Sequence, residues 1–201
     1  MRSTLSHYHP EVLPEDWVFR TNAHGRPSIA NDIALPVSFN LSHTKGLSVL
    51  AISSHPLTGV DVEHSKRQNS FEEQRLAHRF FSPSETASLL ALPHPAHKER
   101  FYRLWTLKEA YIKACGKGLA IPLDHFYFDF LGSGGIRIAF SEELNDSPAE
   151  WQFWQYLTDD DFLIALACKA FPSRIHHINT YEVIPNQASH TRPLTPKDQS
   201  R

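Results

Sequence analysis

The sequence predicts an α+β fold, and three observations carry that prediction. Phe101 to Leu119, FYRLWTLKEAYIKACGKGL, reads as one long helix with Phe101, Leu104, Trp105, Ile112 and Cys115 recurring at helical spacing. Three strand-like stretches precede it, at Val37–His43, Leu47–Ile52 and Thr58–His64. Five short β-like runs follow it, separated by Gly, Asn, Asp and Pro. The chain has 201 residues, 41% apolar and 21% charged, enough for one domain or two small ones with a core. Its net charge of −2, with a pI near 6.7, gives no global reason to expect nucleic acid or an anionic membrane as partner. Thirteen histidines are scattered without H-E-x-x-H spacing, and no C-x-x-C exists. Cys115 and Cys168 each sit in an apolar pattern and read as two free thiols of a reducing compartment. No signal peptide and no bilayer-spanning apolar run is visible, so the expectation is a cytoplasmic protein with no membrane partner.

The elements justify themselves in order. Met1 to Tyr8 looks like the tail of a helix without a capped beginning, and Pro10 and Pro14 then break the chain. Trp17–Phe19 is a short strand candidate, and Asn22–Gly25 is a turn. Arg26 follows that turn. A guanidinium beside a turn glycine can hold a phosphate, or it can be a solvated loop arginine. Val37 to His43 alternates, so Val37, Phe39 and Leu41 are expected inward, with Asn40 and Ser42 on the other face. His43 ends that strand before the Thr44-Lys45-Gly46 turn, and LSVLAI returns as a central strand, giving an antiparallel hairpin. In Thr58–His64 the alternation puts Val60 and Val62 on one face and Asp61 and Glu63 on the other. Two carboxylates so placed are either solvated acids on an open face or a site for a hard divalent ion.

Gln68 to His78 is a helix candidate, with Phe71, Leu76 and Phe80-Phe81 near its inner face. Ser82-Pro83-Ser84-Glu85 is a helix start: a serine cap, proline at the first position, an acid in the first turn. That helix runs on to Leu92, before Pro93 and Pro95. In the long helix, Trp105, Lys108, Glu109 and Lys113 share the winding, and Gly116 and Gly118 end it. Glu109 and Lys113, four apart, are either a surface salt bridge or part of a site with the acids upstream. The later β-like runs are Phe126–Phe130, Ile136–Phe140, Trp151–Leu157, Phe162–Lys169 and Asn179–Ile184, with a hairpin loop at Thr158–Asp161. From Pro185 onward almost nothing is apolar, and a disordered tail is expected.

Three motifs stand in a fixed order: F-N-L-S-H at Phe39–His43, G-V-D-V-E at Gly59–Glu63, and W-x-x-K-E-A-x-x-K at Trp105–Lys113, closed by G-K-G-L. Together they resemble the 4'-phosphopantetheinyl transferases of the surfactin-synthetase-activating (Sfp) type, in the subclass whose last motif reads W…KEA. The likeness runs from Arg2 to about Ile184.

The resemblance implies a fold, a reaction and roles. The fold would be a pseudo-dimer of two α+β halves, with coenzyme A in the cleft between them. Residues 1–63 would be what remains of a first, truncated half, 64–185 the second half with the catalytic helix, and 186–201 the tail. Relatives carry an opening strand and a basic segment before the point that Met1 matches, and Arg2 would be the survivor of that segment. Coenzyme A would be the substrate and a serine of an apo acyl- or peptidyl-carrier protein the acceptor, with holo-carrier and 3',5'-ADP as products. Asp61, Glu63 and Glu109 would gather Mg²⁺, with Mn²⁺ as an alternative. Glu109 would also serve as base for the serine, Lys113 would act on the leaving phosphate, and Asp61 would share in catalysis. Lys108 would be a further phosphate contact, Ser42 and His43 would touch the pyrophosphate or 3'-phosphate, and Arg26 and Pro27 would lie beside the adenine and 3'-phosphate. Phe71 to Leu92 lies in the region that meets carriers, and a single chain would be the working unit. Two other readings fit fewer of these residues: a degenerate, non-catalytic binder of carrier protein or coenzyme A, and a Mg²⁺-dependent phosphoryl-transfer hydrolase.

Overall fold

A computed structural model describes residues 1–66, 72–169, 176–184 and 190–200. The N-terminal part holds helix α1 (Arg2–Tyr8), the short antiparallel pair β1 (Phe19–Thr21) and β2 (Pro27–Ile29), and the hairpin β3 (Ser38–Thr44) and β4 (Leu47–Ser53). Next come strand β5 (Thr58–His64) and helices α2 (Glu72–Phe80), α3 (Pro83–Leu90) and α4 (His94–Cys115). Strands β6 (Phe126–Leu131), β7 (Gly135–Phe140), β8 (Trp151–Leu157) and β9 (Phe162–Lys169) follow, then β10 (Tyr181–Glu182), β11 (His190–Thr191) and β12 (Asp198–Ser200). One six-stranded sheet has the order β5-β9-β8-β12-β7-β6. The architecture is mixed α+β, as the sequence predicts. Among the described residues no helix is long and apolar enough to cross a membrane.

Local chemistry explains the elements. Ser82 and Glu85 form a reciprocal capping box that starts α3, with Pro83 in its first turn. α4 begins at His94, earlier than the periodicity suggests, because Pro95 sits in the first turn, where a missing N–H costs nothing. Gly116 ends α4 in the left-handed conformation, at φ 68°. The Gln68–Phe71 start of the preceding helix candidate lies outside the described residues.

α4 lies across the sheet at β5 and β9, and its buried face, including Leu104, Leu107, Tyr111 and Ile112, forms the main core with Phe126, Phe153 and Ala165. Val60 and Val62 face away from α4, into a second cluster with Trp154, Tyr156 and Ile164, against which β4 lays Leu47 and Val49. Leu5, Trp17 and Phe39 make a third, small core at the N-terminal end.

Two expectations are corrected here. On β3 the expected inward Leu41 is 43% exposed, whereas the polar pair Asn40 and Ser42 is buried. The cause lies on β5, whose N–H groups on this side meet side chains: Asn40 Oδ1 accepts from Val60 N at 2.8 Å and Ser42 Oγ from Val62 N at 3.3 Å. The hairpin therefore docks on the edge of the six-stranded sheet through its polar face. The expected disordered tail is also revised. Pro185–Ser189 lie outside the described residues, but Asp198–Ser200 enter the sheet between β7 and β8. A polar segment can do so because Asp198 finds Arg103, at side-chain exposures of 8% and 12%.

Candidate active site

The alternation of β5 decides the site. Gly59, Asp61 and Glu63 point toward α4, because Val60 and Val62 face the other way. Gly59 lets the helix come close. A Cβ there would lie 2.2 Å from Ala110 O and 2.4 Å from Ala114 N, so strand and helix are in direct backbone contact at the glycine and the two alanines. One residue before each of these alanines on α4, Glu109 and Lys113 are set against Asp61 and Glu63. These four line one pocket of about 400 Å³ with Leu41, Ser42, His43, Val62 and Trp105. Trp105 is held by a parallel stack on Phe101, with centroids 5.7 Å apart.

Asp61 is the buried anchor. Its Oδ1 accepts from Lys113 Nζ at 2.6 Å and from Ser42 Oγ at 2.9 Å, and Lys113 also reaches Ser42 Oγ at 3.0 Å. Its Oδ2 is buried with no hydrogen-bond partner among the described residues. Lys113 thus pairs across the cleft with Asp61, and the four-apart pair with Glu109 is not the salt bridge that the helix alone suggests. Burial, with Asp61 and then Glu63 adding repulsion against the pull of Lys113, pushes the Glu109 carboxyl up to about 7. A carboxyl crowded by two further acids and held off ionisation in this way makes a receptive place for a cation. Among the described residues, however, no three His, Cys, Asp or Glu side chains are gathered closely enough to grip a metal by themselves.

The residues that sequence reading singled out divide cleanly. Ser42, His43, Asp61, Glu63, Glu109 and Lys113 come together at the pocket. Lys108 does not, and its expected phosphate contact is corrected. It is fully buried on the opposite side of α4, donating to Leu123 O and Phe126 O at 2.6 Å each and pairing with Glu85 at 2.9 Å. One residue of helix turns the side chain by roughly 100°, so neighbours in the Lys-Glu pair serve different faces. Arg26 and Pro27 lie outside the pocket lining. Arg26 donates to Ala114 O, to Pro56 O at 2.8 Å and to Thr58 O at 3.1 Å, while Asn22 Nδ2 bonds Gly116 O at 2.7 Å. The turn between β1 and β2 therefore clamps the end of α4. Arg2 is likewise engaged, with the carbonyls of Pro14, Glu15 and Trp17. Sequence reading missed the packing role of Gly59 and the edge-capping role of Asn40. The signal for the first was a glycine inside a strand, which marks close backbone approach.

Residues 58–167, the stretch from β5 through α4 to β9, match the family described as the 4'-phosphopantetheinyl transferase superfamily. The chain belongs to that superfamily. Its curated relatives narrow the place further. It is 35% identical over 173 residues to the 4'-phosphopantetheinyl transferase Sfp of Bacillus subtilis, which covers 86% of this chain and 71% of the relative. It is 38% identical over 115 residues to gsp of Aneurinibacillus migulanus, covering 57% of this chain and 45% of the relative. HetI of a Nostoc strain is 32% identical over 176 residues, covering 85% and 68%. The chain is thus a 4'-phosphopantetheinyl transferase of the Sfp type.

Proposed function

We infer that this chain moves the 4'-phosphopantetheine group of coenzyme A onto a serine of an apo acyl- or peptidyl-carrier protein, leaving 3',5'-ADP. The observation that carries the reading is the convergence of Asp61 and Glu63 from β5 with Glu109 and Lys113 from α4 on one open pocket. In this reading residues 1–63 and 64–185 are the two halves of a pseudo-dimeric fold in a single working chain, and coenzyme A lies between them. The pocket supports it, since its walls come from β3 and β5 on one side of residue 64 and from α4 on the other.

The donor set fits Mg²⁺. Asp61 Oδ2 is a buried oxygen without a hydrogen-bond partner among the described residues, and Glu109 is held toward its neutral form by burial and by the neighbouring acids. Mg²⁺ keeps waters and takes substrate phosphate oxygens, so it does not need a closed cage of protein ligands. Asp61, Glu63 and Glu109 would hold it, and when bound it would neutralise charge on the pyrophosphate.

The remaining chemistry belongs to the chain. Ser42 and His43 line the same wall and donate to phosphate oxygens. Glu109 accepts the proton of the carrier serine, directly or through a water. The serine oxygen bonds to the β-phosphorus, the bridge to the α-phosphate breaks, and 3',5'-ADP departs. Lys113, already aimed into the pocket, stabilises charge on the departing phosphate. The carrier is taken to approach along α2 and α3, which precede the catalytic helix. Replacing Lys113 by Ala tests the assignment: turnover should fall by about 100-fold or more with coenzyme A binding little changed. An effect confined to binding would remove Lys113 from the transfer step.

A further inference from the structure

The six-stranded sheet contains a join that the chain fills from its far end. β7 and β8 do not pair with each other. β12 lies between them, antiparallel to β8 with Asp198 opposite Gln155, and parallel to β7 with Gln199 opposite Gly135. Without β12 the sheet divides into β5-β9-β8 and β7-β6, and each part presents an open edge to the gap.

The gap is built to read what fills it. At its floor Gln155 is fully buried, held by donation from its Nε2 to Arg103 O at 3.0 Å and Thr106 Oγ1 at 3.1 Å. Its Oε1 accepts from Arg103 Nε at 3.1 Å, which turns the guanidinium toward Asp198. Phe130 lies under that guanidinium, 3.8 Å from it. The main chain adds Lys197 N to Gln155 O at 2.7 Å, and Phe153 N donates to Ser200 Oγ at 2.8 Å. On the β7 side Gly134, at φ 77°, has no side chain to meet Lys197 O, which lies 3.0 Å from where its Cβ would be. Leu194 lodges against the second core, and Lys197 pairs with Glu99 at 2.5 Å.

We propose that the groove between β7 and β8 is a strand-binding site for an extended peptide bearing an aspartate. The chain's own segment Leu194–Ser200 is its resident ligand, held in cis, and the same segment binds in trans once the groove is vacated. Main-chain pairing supplies the general attraction and the Arg103 fork supplies the choice of aspartate. Two of the groups that hold the segment, Glu99 and Arg103, are on α4, and Arg103 is less than two turns from Glu109. Occupancy therefore also steadies the helix that carries half of the pocket.

The test uses the full chain carrying Asp198→Ala, which weakens the resident strand, and a fluorescent peptide of sequence LTPKDQSR. The peptide should bind this variant saturably and at least about tenfold more tightly than it binds the unsubstituted chain, whose tethered segment competes at high effective concentration. It should also raise the melting temperature of the variant. A peptide with alanine for aspartate should do neither. Absence of binding to the variant, or equal binding of the alanine peptide, overturns the proposal. The unsubstituted chain provides a second reading: hydrogen exchange at the Lys197 amide should be slowed at least about 100-fold relative to an open chain, and exchange at the open-chain rate overturns it. None of these readouts uses the transfer reaction, so they stand apart from the proposed catalytic roles.

Discussion

Replacing Gly59 by Ala probes how the catalytic groups are held. A Cβ at Gly59 would fall 2.2 Å from Ala110 O, 2.4 Å from Ala114 N and 2.9 Å from Ala114 Cα, all helix backbone with no side chain to swing aside. Relief to an ordinary van der Waals contact requires the helix and strand to separate by about 1 Å, a strain on the order of 1–3 kcal/mol. Gly→Ala inside a strand otherwise stabilises by roughly 0.5–1 kcal/mol, so even the sign of the effect is informative. The same displacement acts on the Lys113–Asp61 contact, now 2.6 Å. A misplacement of about 1 Å between reacting groups costs on the order of 100-fold in rate. Urea unfolding together with transfer rates at saturating coenzyme A and carrier measures both effects. The expected result is a variant less stable than the parent, still folded, with turnover about 100-fold lower. A variant as stable and as fast as the parent would refute the claim that this contact sets the site.

Two other outcomes follow from charges at different depths. Lys108→Ala leaves Glu85 buried without its cation and should destabilise by about 3–5 kcal/mol, whereas Lys108→Met combined with Glu85→Gln should recover much of that loss; a raised KM for coenzyme A at unchanged stability would instead place Lys108 on the substrate. Glu109 gives a pH signature. Its carboxyl is raised from an ordinary 4.5 to about 7, so the folded state binds more protons than the unfolded chain between those values, and stability falls as pH rises through them. Glu109→Gln removes this contribution, so without divalent ions it should exceed the parent by about 3 kcal/mol at pH 8, with the gap closing toward pH 4.5. An equal stability difference at both pH values would show that burial and the neighbouring acids do not hold Glu109 off ionisation.

Much of the fold was legible because its signals are local. Alternation in β5, the capping box at Ser82 and Glu85, and the glycine stop at Gly116 each act within a few residues. The site was legible through its motifs, which place Asp61, Glu63, Glu109 and Lys113 on two neighbouring elements. What escaped depends on partners distant in sequence. Lys108 and Glu109 look alike as polar helix residues, and only the contacts with Glu85, Leu123 and Phe126 reveal that the lysine belongs to the core. Hydrophobicity alone points Leu41 inward, but the N–H groups on the edge of β5 favour Asn40 and Ser42 there. Asp198 is an ordinary acid in a polar tail until Arg103, 95 positions earlier, provides its partner.

The pocket between β5 and α4 is proposed to transfer phosphopantetheine with the help of a divalent ion. Intact-mass spectrometry of an apo-carrier protein incubated with this chain and coenzyme A tests it most directly, run with Mg²⁺, with EDTA, and with Asp61→Ala in place of the parent. The expected result is a gain of one phosphopantetheine mass that requires Mg²⁺ and is lost in the variant. No gain from folded parent protein would contradict the transfer reaction, and an undiminished gain in EDTA or with Asp61→Ala would contradict the metal site.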